Sequence, residues 1–101
     1  MMYVVTYDIA DDRRREDVAT VLSGYGPRVQ LSVFECDLRT RQEAAALRAE
    51  LRRLIDPVDD QVRLYPLDER AVRQVKVLGA RTIAALIPRP PRYRAPSCHL
   101  D

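Results

Sequence analysis

Residues 4–15 read VVTYDIADDRRR, and this stretch contains the change of pattern from which the fold follows. The apolar run from Met2 to Tyr7 is short and rich in β-branched and aromatic residues, which predicts a buried strand. Asp11 or Asp12 then caps a helix, because a carboxylate accepts hydrogen bonds from the N–H groups of a first turn. The chain therefore begins with a strand that passes directly into a helix.

The segment after this helix predicts one bent strand or two short ones. Four apolar residues at helical spacing place one face of the helix on the core: Val18, Val21, Leu22 and Tyr25. Residues 28–38, RVQLSVFECDL, then alternate in polarity and change phase near Phe34. A long kinked strand, or two strands joined by a tight bend, explains that change of phase.

In the second half of the chain, the pattern again predicts a helix followed by a strand. Thr40 and Glu43 have the spacing of a capping box and open a strong helix. Residues 61–67, QVRLYPL, alternate again as a strand, and Pro66 indicates a sheet edge or a strand end. Residues 74–78 are a candidate for a last short strand.

The resulting order is β-α-β-β-α-β with a short extra C-terminal strand, which predicts an α+β fold of the ferredoxin-like type. We expect an antiparallel sheet with both helices on one face, in a single domain over residues 1–79. Residues 80–101 form a Pro- and Arg-rich extension that we expect to be flexible from about residue 88. A core of this size is modest, so a homodimer would stabilise it.

The amino-acid composition indicates which binding partners and which cellular compartment suit this protein. All but one of the 17 Lys and Arg side chains are arginine, and arginine forks suit phosphate oxygens. A GC-rich genome or a heat-adapted host would give the same bias. No apolar stretch is long enough to span a bilayer and no signal peptide is evident, which predicts a cytoplasmic protein without a membrane partner. Two cysteines fit a reducing compartment.

Asp8 is the first candidate functional residue, because a carboxylate at a strand end is not needed for packing. It caps a turn or pairs with a neighbouring arginine, or else it binds a hard cation such as Mg²⁺. One carboxylate is too few for a magnesium site. A two-fold dimer with Asp8 near its axis would supply two.

Three consecutive arginines, Arg13, Arg14 and Arg15, sit in the first turn of the predicted helix. Positive charge there opposes the helix dipole, and the three cations also repel each other. A bound phosphate would offset this, as would ion pairs with the acidic residues nearby: Asp11, Asp12, Glu16 and Asp17. Both explanations stay open on the sequence alone.

Four short motifs together resemble one known family. Tyr7-Asp8-Ile9 ends the first strand, the Asp-Asp-Arg-Arg-Arg run opens the helix, residues 26–35 read GPRVQLSVFE, and Tyr65-Pro66-Leu67 follows. This set is similar to the CRISPR-associated protein two family, the non-integrase partner in spacer acquisition. The resemblance extends over residues 2 to about 79.

The resemblance implies a homodimer whose last strand, Val75–Leu78, crosses to the partner's sheet. It also implies that Asp8 from each subunit binds one Mg²⁺ ion at the dimer axis. Tyr7, Arg15 and Phe34 match positions near a nuclease cleft. The candidate phosphate-binding residues are Arg13, Arg14, Arg15 and Arg28.

Three functions are compatible with this family. The first is a CRISPR adaptation protein that acts with the CRISPR integrase and carries a Mg²⁺-dependent endonuclease activity on RNA or DNA. The second is a structural subunit that bridges DNA within the integrase complex and for which Asp8 is dispensable. The third is a toxin-like ribonuclease outside CRISPR.

Overall fold

The computed structural model describes residues 1–79, which form a four-stranded antiparallel sheet with two long helices on one face. The strand order is β2-β3-β1-β4, so the two longest strands, β1 and β4, lie side by side. This is the ferredoxin-like arrangement, and it confirms the predicted fold class. The strands are β1 (Met2–Asp8), β2 (Arg28–Gln30), β3 (Val33–Asp37) and β4 (Gln61–Leu67). The helices are α1 (Asp12–Ser23), α2 (Arg41–Leu54) and the short α3 (Glu69–Arg73).

The core lies between the helices and one face of the sheet. Val5 and Phe34 are paired across β1 and β3 and are almost fully buried. Val18 and Leu22 from α1 and Leu47 from α2 pack into the same cluster. Successive strand residues point to opposite faces, so the other residues of β1 and β3 form a second face. We call the first the covered face and the second the open face.

Both long helices begin where the sequence predicts. The Asp11 carboxylate accepts a hydrogen bond from the Arg14 N–H at 2.9 Å, and the Thr40 hydroxyl accepts one from the Glu43 N–H at 3.0 Å. The Glu43 carboxylate in turn accepts a hydrogen bond from the N–H of Arg39, one residue before the cap, at 3.1 Å. Each cap satisfies an N–H group that has no partner inside its helix.

Two strands joined by a tight bend, rather than one kinked strand, form residues 28–37. β2 pairs with β3 through an irregular register between Arg28 and Gln30. Gly26 enters this hairpin so close to β3 that a Cβ atom there would lie 1.8 Å from the Glu35 carbonyl oxygen. Only glycine allows this approach, which fixes where the chain leaves α1 and enters β2.

The predicted strand over residues 74–78 is wrong for the single chain. A short helix, Glu69–Arg73, precedes this segment, and residues 75–78 have no regular secondary structure and no strand neighbour within residues 1–79. A strand needs a paired edge, and this segment meets none within residues 1–79. Val77 and Leu78 are consequently exposed.

The prediction of a flexible extension falls on residues 80–101, which lie outside the described part of the chain. Over residues 1–79, no helix is long and apolar enough to cross a membrane.

Candidate nucleic-acid and metal site

Asp8 is the last residue of β1 and lies opposite Gln61 of β4. Its side chain is exposed, and strand alternation places it on the open face together with Val4 and Thr6. Tyr7, its neighbour in the sequence, points instead to the covered face. Asp8 is therefore available to a ligand or a second chain on the side of the sheet that neither α1 nor α2, the long helices of residues 1–79, covers.

A buried carboxylate, Asp60, holds the turn that follows Asp8. The Asp60 side chain is fully buried and accepts hydrogen bonds from Ala10 N–H at 3.1 Å, Asp56 N–H at 2.9 Å and Arg14 Nε at 2.8 Å. These contacts, with the hydrogen bond from Arg14 as the largest cause, lower the pKa of Asp60 well below its usual range. The loop before β4 is thereby tied to the start of α1.

This contact gives Arg14 a structural partner. Its guanidinium donates to both oxygens of Asp60 through Nε and Nη2, so only Nη1 is left for the predicted phosphate-binding role of Arg14. Sequence reasoning did not identify Asp60, because the two residues are 46 positions apart and no local pattern joins them.

The other two arginines of the run have different surroundings. Arg15 donates to the Ile9 carbonyl oxygen at 3.1 Å through Nη2 and pairs with Asp12 at 2.7 Å through Nη1. One of the two explanations for the run, ion pairing with nearby carboxylates, thus applies to Arg15. Arg13 is exposed and makes no hydrogen bond or ion pair within residues 1–79. It is the member of the run that is open to a phosphate.

Tyr7, Arg28 and Phe34 form one stacked cluster at the end of the covered face. The Arg28 guanidinium lies 5.2 Å from the centre of the Phe34 ring and donates to the Tyr7 hydroxyl at 3.3 Å. That hydroxyl donates in turn to the Leu31 carbonyl oxygen at 3.2 Å. Arg28 Nε is buried and has no hydrogen-bond partner in the described chain. The cluster ties β2 to β1 and β3.

Tyr7 and Phe34 are thus brought together, but away from Asp8. Tyr7 is 6% exposed and Phe34 is 2% exposed, and both face the core. In the single chain their rings support the strands that carry Asp8 and do not lie beside its carboxylate. A direct role for either ring in a cleft stays a prediction.

Glu35 is a second acidic residue that sequence reasoning passed over. It pairs with Val4 across β1 and β3 and lies on the open face. Burial raises the pKa of Glu35 to about 7. Burial, followed by the nearby Glu35 charge, also raises the pKa of the Cys36 thiol to about 12, so this cysteine is a poor nucleophile.

A metal site is incomplete in one chain. Across residues 1–79, no three His, Cys, Asp or Glu side chains come close enough to hold an ion together. Asp8 is an exposed oxygen donor of the type that Mg²⁺ prefers, but one carboxylate does not make a site. The residues present suit a magnesium ion only if a second chain supplies another Asp8.

Comparison with known proteins gives a consistent family. The sequence profile described as CRISPR associated protein Cas2 matches residues 1–75. A Synechocystis protein named CRISPR-associated endoribonuclease Cas2 3 is 45% identical over 78 residues, which cover 77% of this chain and 84% of the relative. A Thermus thermophilus protein named CRISPR-associated endonuclease Cas2 2 is 47% identical over 85 residues, covering 84% of this chain and 89% of the relative.

One of the similar solved structures is a chain within a multiprotein complex. A chain in the partial Cas6-RT-Cas1–Cas2 complex superimposes with a TM-score of 0.68 at 25% identity, covering 82% of this chain and 96% of that chain. The similarity therefore spans more than four-fifths of the length of each of these relatives, and the family match over residues 1–75 includes all the strands and helices that carry the candidate residues.

Proposed function

We propose that this chain, which belongs to the CRISPR associated protein Cas2 family, acts as a homodimer in spacer acquisition and hydrolyses phosphodiester bonds. We further propose that its protein partner is the CRISPR integrase, because a similar chain occurs in a Cas1–Cas2 complex. The observation that carries the proposal is the position of Asp8, exposed at the end of β1 on the open face.

The edge of β4 and the segment after α3 support a dimer. β4 is an edge strand, and a groove of about 200 Å³ runs beside it, with an apolar floor formed by residues such as Leu51, Val62 and Leu64. In extended conformation, Val75 and Val77 would point to one side. A second chain that added residues 75–78 to this edge would pair the strand and fill the groove. This explains why the segment has no neighbour in one chain.

The open face supports the same conclusion. Its apolar side chains include Val4, Val33 and Leu67, each only partly buried, together with Tyr65, which is 44% exposed. Such a face on a short domain suits a second sheet better than water. A dimer that packed two open faces would also bring together the two copies of Asp8.

In this dimer the two Asp8 carboxylates would hold one Mg²⁺ ion between them. Two carboxylates, completed by waters and phosphate oxygens, form the ligand set that magnesium accepts. When bound, the ion would supply Lewis-acid activation of water and phosphate. The pair would otherwise repel each other or share a proton.

The chain's own arginines would orient the substrate. Arg13 is exposed and open to a phosphate, whereas Arg15 holds the Ile9 carbonyl and thereby the turn that follows Asp8. Arg28 is fixed against Phe34 and Tyr7 and supports β2. We therefore assign direct phosphate binding to Arg13 and positioning to the other two.

The substitution Asp8→Asn tests the nuclease, with Asp59→Asn as a matched control in an exposed loop. We expect Asp8→Asn to reduce Mg²⁺-dependent cleavage of labelled RNA and duplex DNA at least 100-fold, and Asp59→Asn to leave it unchanged. EDTA should abolish cleavage by the wild type. Spacer acquisition with the integrase is scored in parallel.

The alternative function is a structural subunit that bridges DNA, favoured by the similar chain in an integrase complex. If Asp8→Asn supports normal acquisition and the wild type never cleaves in a metal-dependent way, the bridging function replaces the nuclease. A locus that lacks both a repeat array and an integrase would instead favour a toxin-like ribonuclease.

A further inference from the structure

A cleft of about 370 Å³ lies between the start of α2 and the beginning of β1, at the opposite end of β1 from Asp8. Three arginines surround it, Arg39, Arg41 and Arg48, and all three are exposed. No Asp or Glu is among the described residues that line it. Tyr3, Leu38 and Ala44 form its floor. We call this the arginine cleft.

The spacing on α2 explains its shape. Arg41, Ala44 and Arg48 are three and four residues apart and therefore share one stripe of the helix, so the small side chain lies between two long ones. The two arginines are about 10 Å apart along the helix axis. Neither forms an ion pair with a carboxylate within residues 1–79. Arg48 also borders the groove beside β4, where we propose that a second chain adds its strand. On the side of the arginine cleft, both guanidinium groups are available to an external anion.

We infer that the arginine cleft binds one nucleotide unit of a single-stranded nucleic acid, as a site separate from that of Asp8. Its volume lies in the range of small-ligand sites. A nucleotide suits both parts of the cleft. Its phosphates can bind the guanidinium groups of the arginines, and its base can stack on the apolar floor that includes the Tyr3 ring. A duplex would present its backbone to the rim and leave the floor empty.

The cleft and Asp8 are too far apart for one nucleotide to contact both. Tyr3 and Asp8 are five residues apart on an extended strand, a distance of about 17 Å. The inference rests on the proposed function in that both concern nucleic acid. Binding at the cleft would hold a strand at a second point and would increase affinity without taking part in cleavage.

Fluorescence anisotropy with a labelled ten-residue oligothymidine tests this inference. We expect the double variant Arg41→Gln/Arg48→Gln to weaken binding about tenfold and to reduce the slope of log Kd against log salt by about 1.4, corresponding to two phosphates. The control Arg53→Gln/Arg73→Gln removes the same charge from exposed positions outside the cleft and should change Kd less than twofold. Equal weakening by both pairs would overturn the inference.

Crosslinking shows where the strand lies. A strand containing 5-iodouridine, irradiated on the wild type, should form adducts on Tyr3 or on the peptide that begins α2. Adducts confined to β1 residues near Asp8 or to α1 would contradict the cleft. Displacement of the strand by polyglutamate at equal charge concentration would also contradict it, because a general anion site needs no base.

A measurement in EDTA separates this inference from the nuclease. With divalent metal removed, so that no ion is bound at Asp8, the wild type should still bind the oligothymidine more tightly than the Arg41→Gln/Arg48→Gln variant does. If the wild type never cleaves and the Arg41→Gln/Arg48→Gln variant still loses binding, the proposed nuclease activity is wrong and binding at the arginine cleft is supported. If this variant cleaves normally and binds normally, the inference that the arginine cleft binds a nucleotide is wrong, and the proposed nuclease activity is unaffected.

Discussion

The two faces of the sheet differ in what they require from the sequence. On the covered face, Val5 and Phe34 are almost fully buried against both long helices, and the strands and helices fix each other. On the open face, the same strands present Val4, Glu35 and Asp8, which are only partly buried or exposed. One face therefore determines how a single chain folds, and the other is the surface that we propose a second molecule covers.

The largest expected effect is on the covered side, at Gly26. The substitution Gly26→Ala places a methyl group against the β3 backbone at Glu35, where flexible side chains cannot relieve the clash. We expect a loss of more than about 2 kcal/mol in the free energy of unfolding, measured by urea denaturation. Gly24→Ala is the control, since a Cβ there would be 3.3 Å from its nearest neighbour, the Val21 carbonyl oxygen. Equal stability of the two variants would contradict the close approach.

A second effect concerns the contact between Asp60, in the loop before β4, and Arg14 of α1. Asp60→Asn removes the charge that binds Arg14 and leaves this guanidinium facing a neutral amide. We expect a clearly lower Tm than that of Asp59→Asn, which changes an exposed neighbour. Because the pKa of Asp60 is lowered by folding, its contribution is present above pH 4 and is lost as the pH falls. The two variants should therefore converge in Tm in strong acid.

The open face should respond to a charge by losing its partner, not its fold. Val4→Lys places an ammonium at the centre of the face, opposite Glu35 and Tyr65. We expect the dimer dissociation constant to rise at least tenfold in sedimentation experiments, with far-UV circular dichroism unchanged. Val58→Lys makes the same change at a valine that is 88% exposed and should leave the dimer intact. A fully dimeric Val4→Lys protein would exclude this face as the interface.

The last effect is a dependence of stability on pH at Glu35. Its pKa in the folded chain is about 7, above the ordinary value for a glutamate, so the folded state favours the protonated form. Stability should therefore decrease as the pH rises from about 4.5 to 7 and then level off. Glu35→Gln should remove this slope of Tm against pH, and Glu16→Gln, at an exposed site on α1, should keep it.

Features that depend on residues close in sequence could be predicted from the sequence, and features that depend on distant contacts could not. Periodicity predicted the four strands and two long helices, and local signals predicted a cap at Asp11 or Asp12 and one at Thr40, since each depends on residues close in sequence. The structure selects Asp11 for the first cap. The arrangement of residues 74–78 could not follow from one chain, because a strand forms only with its neighbour.

Around the candidate site, the exposed Asp8 followed from its place at a strand end. The binding of Arg14 to Asp60 did not, since it depends on a contact across 46 residues. The burial of Glu35 depends equally on tertiary packing, because alternation assigns its face but not what lies over that face.

We propose that two Asp8 residues, one from each chain, form one metal site across the open faces. The most direct measurement is a titration of the dimer with Mn²⁺ as a magnesium substitute, followed by electron paramagnetic resonance at known protein concentration. We predict one tightly bound ion per two chains in the wild type and none in Asp8→Asn. One ion per chain, or unchanged binding by the variant, would contradict a shared site.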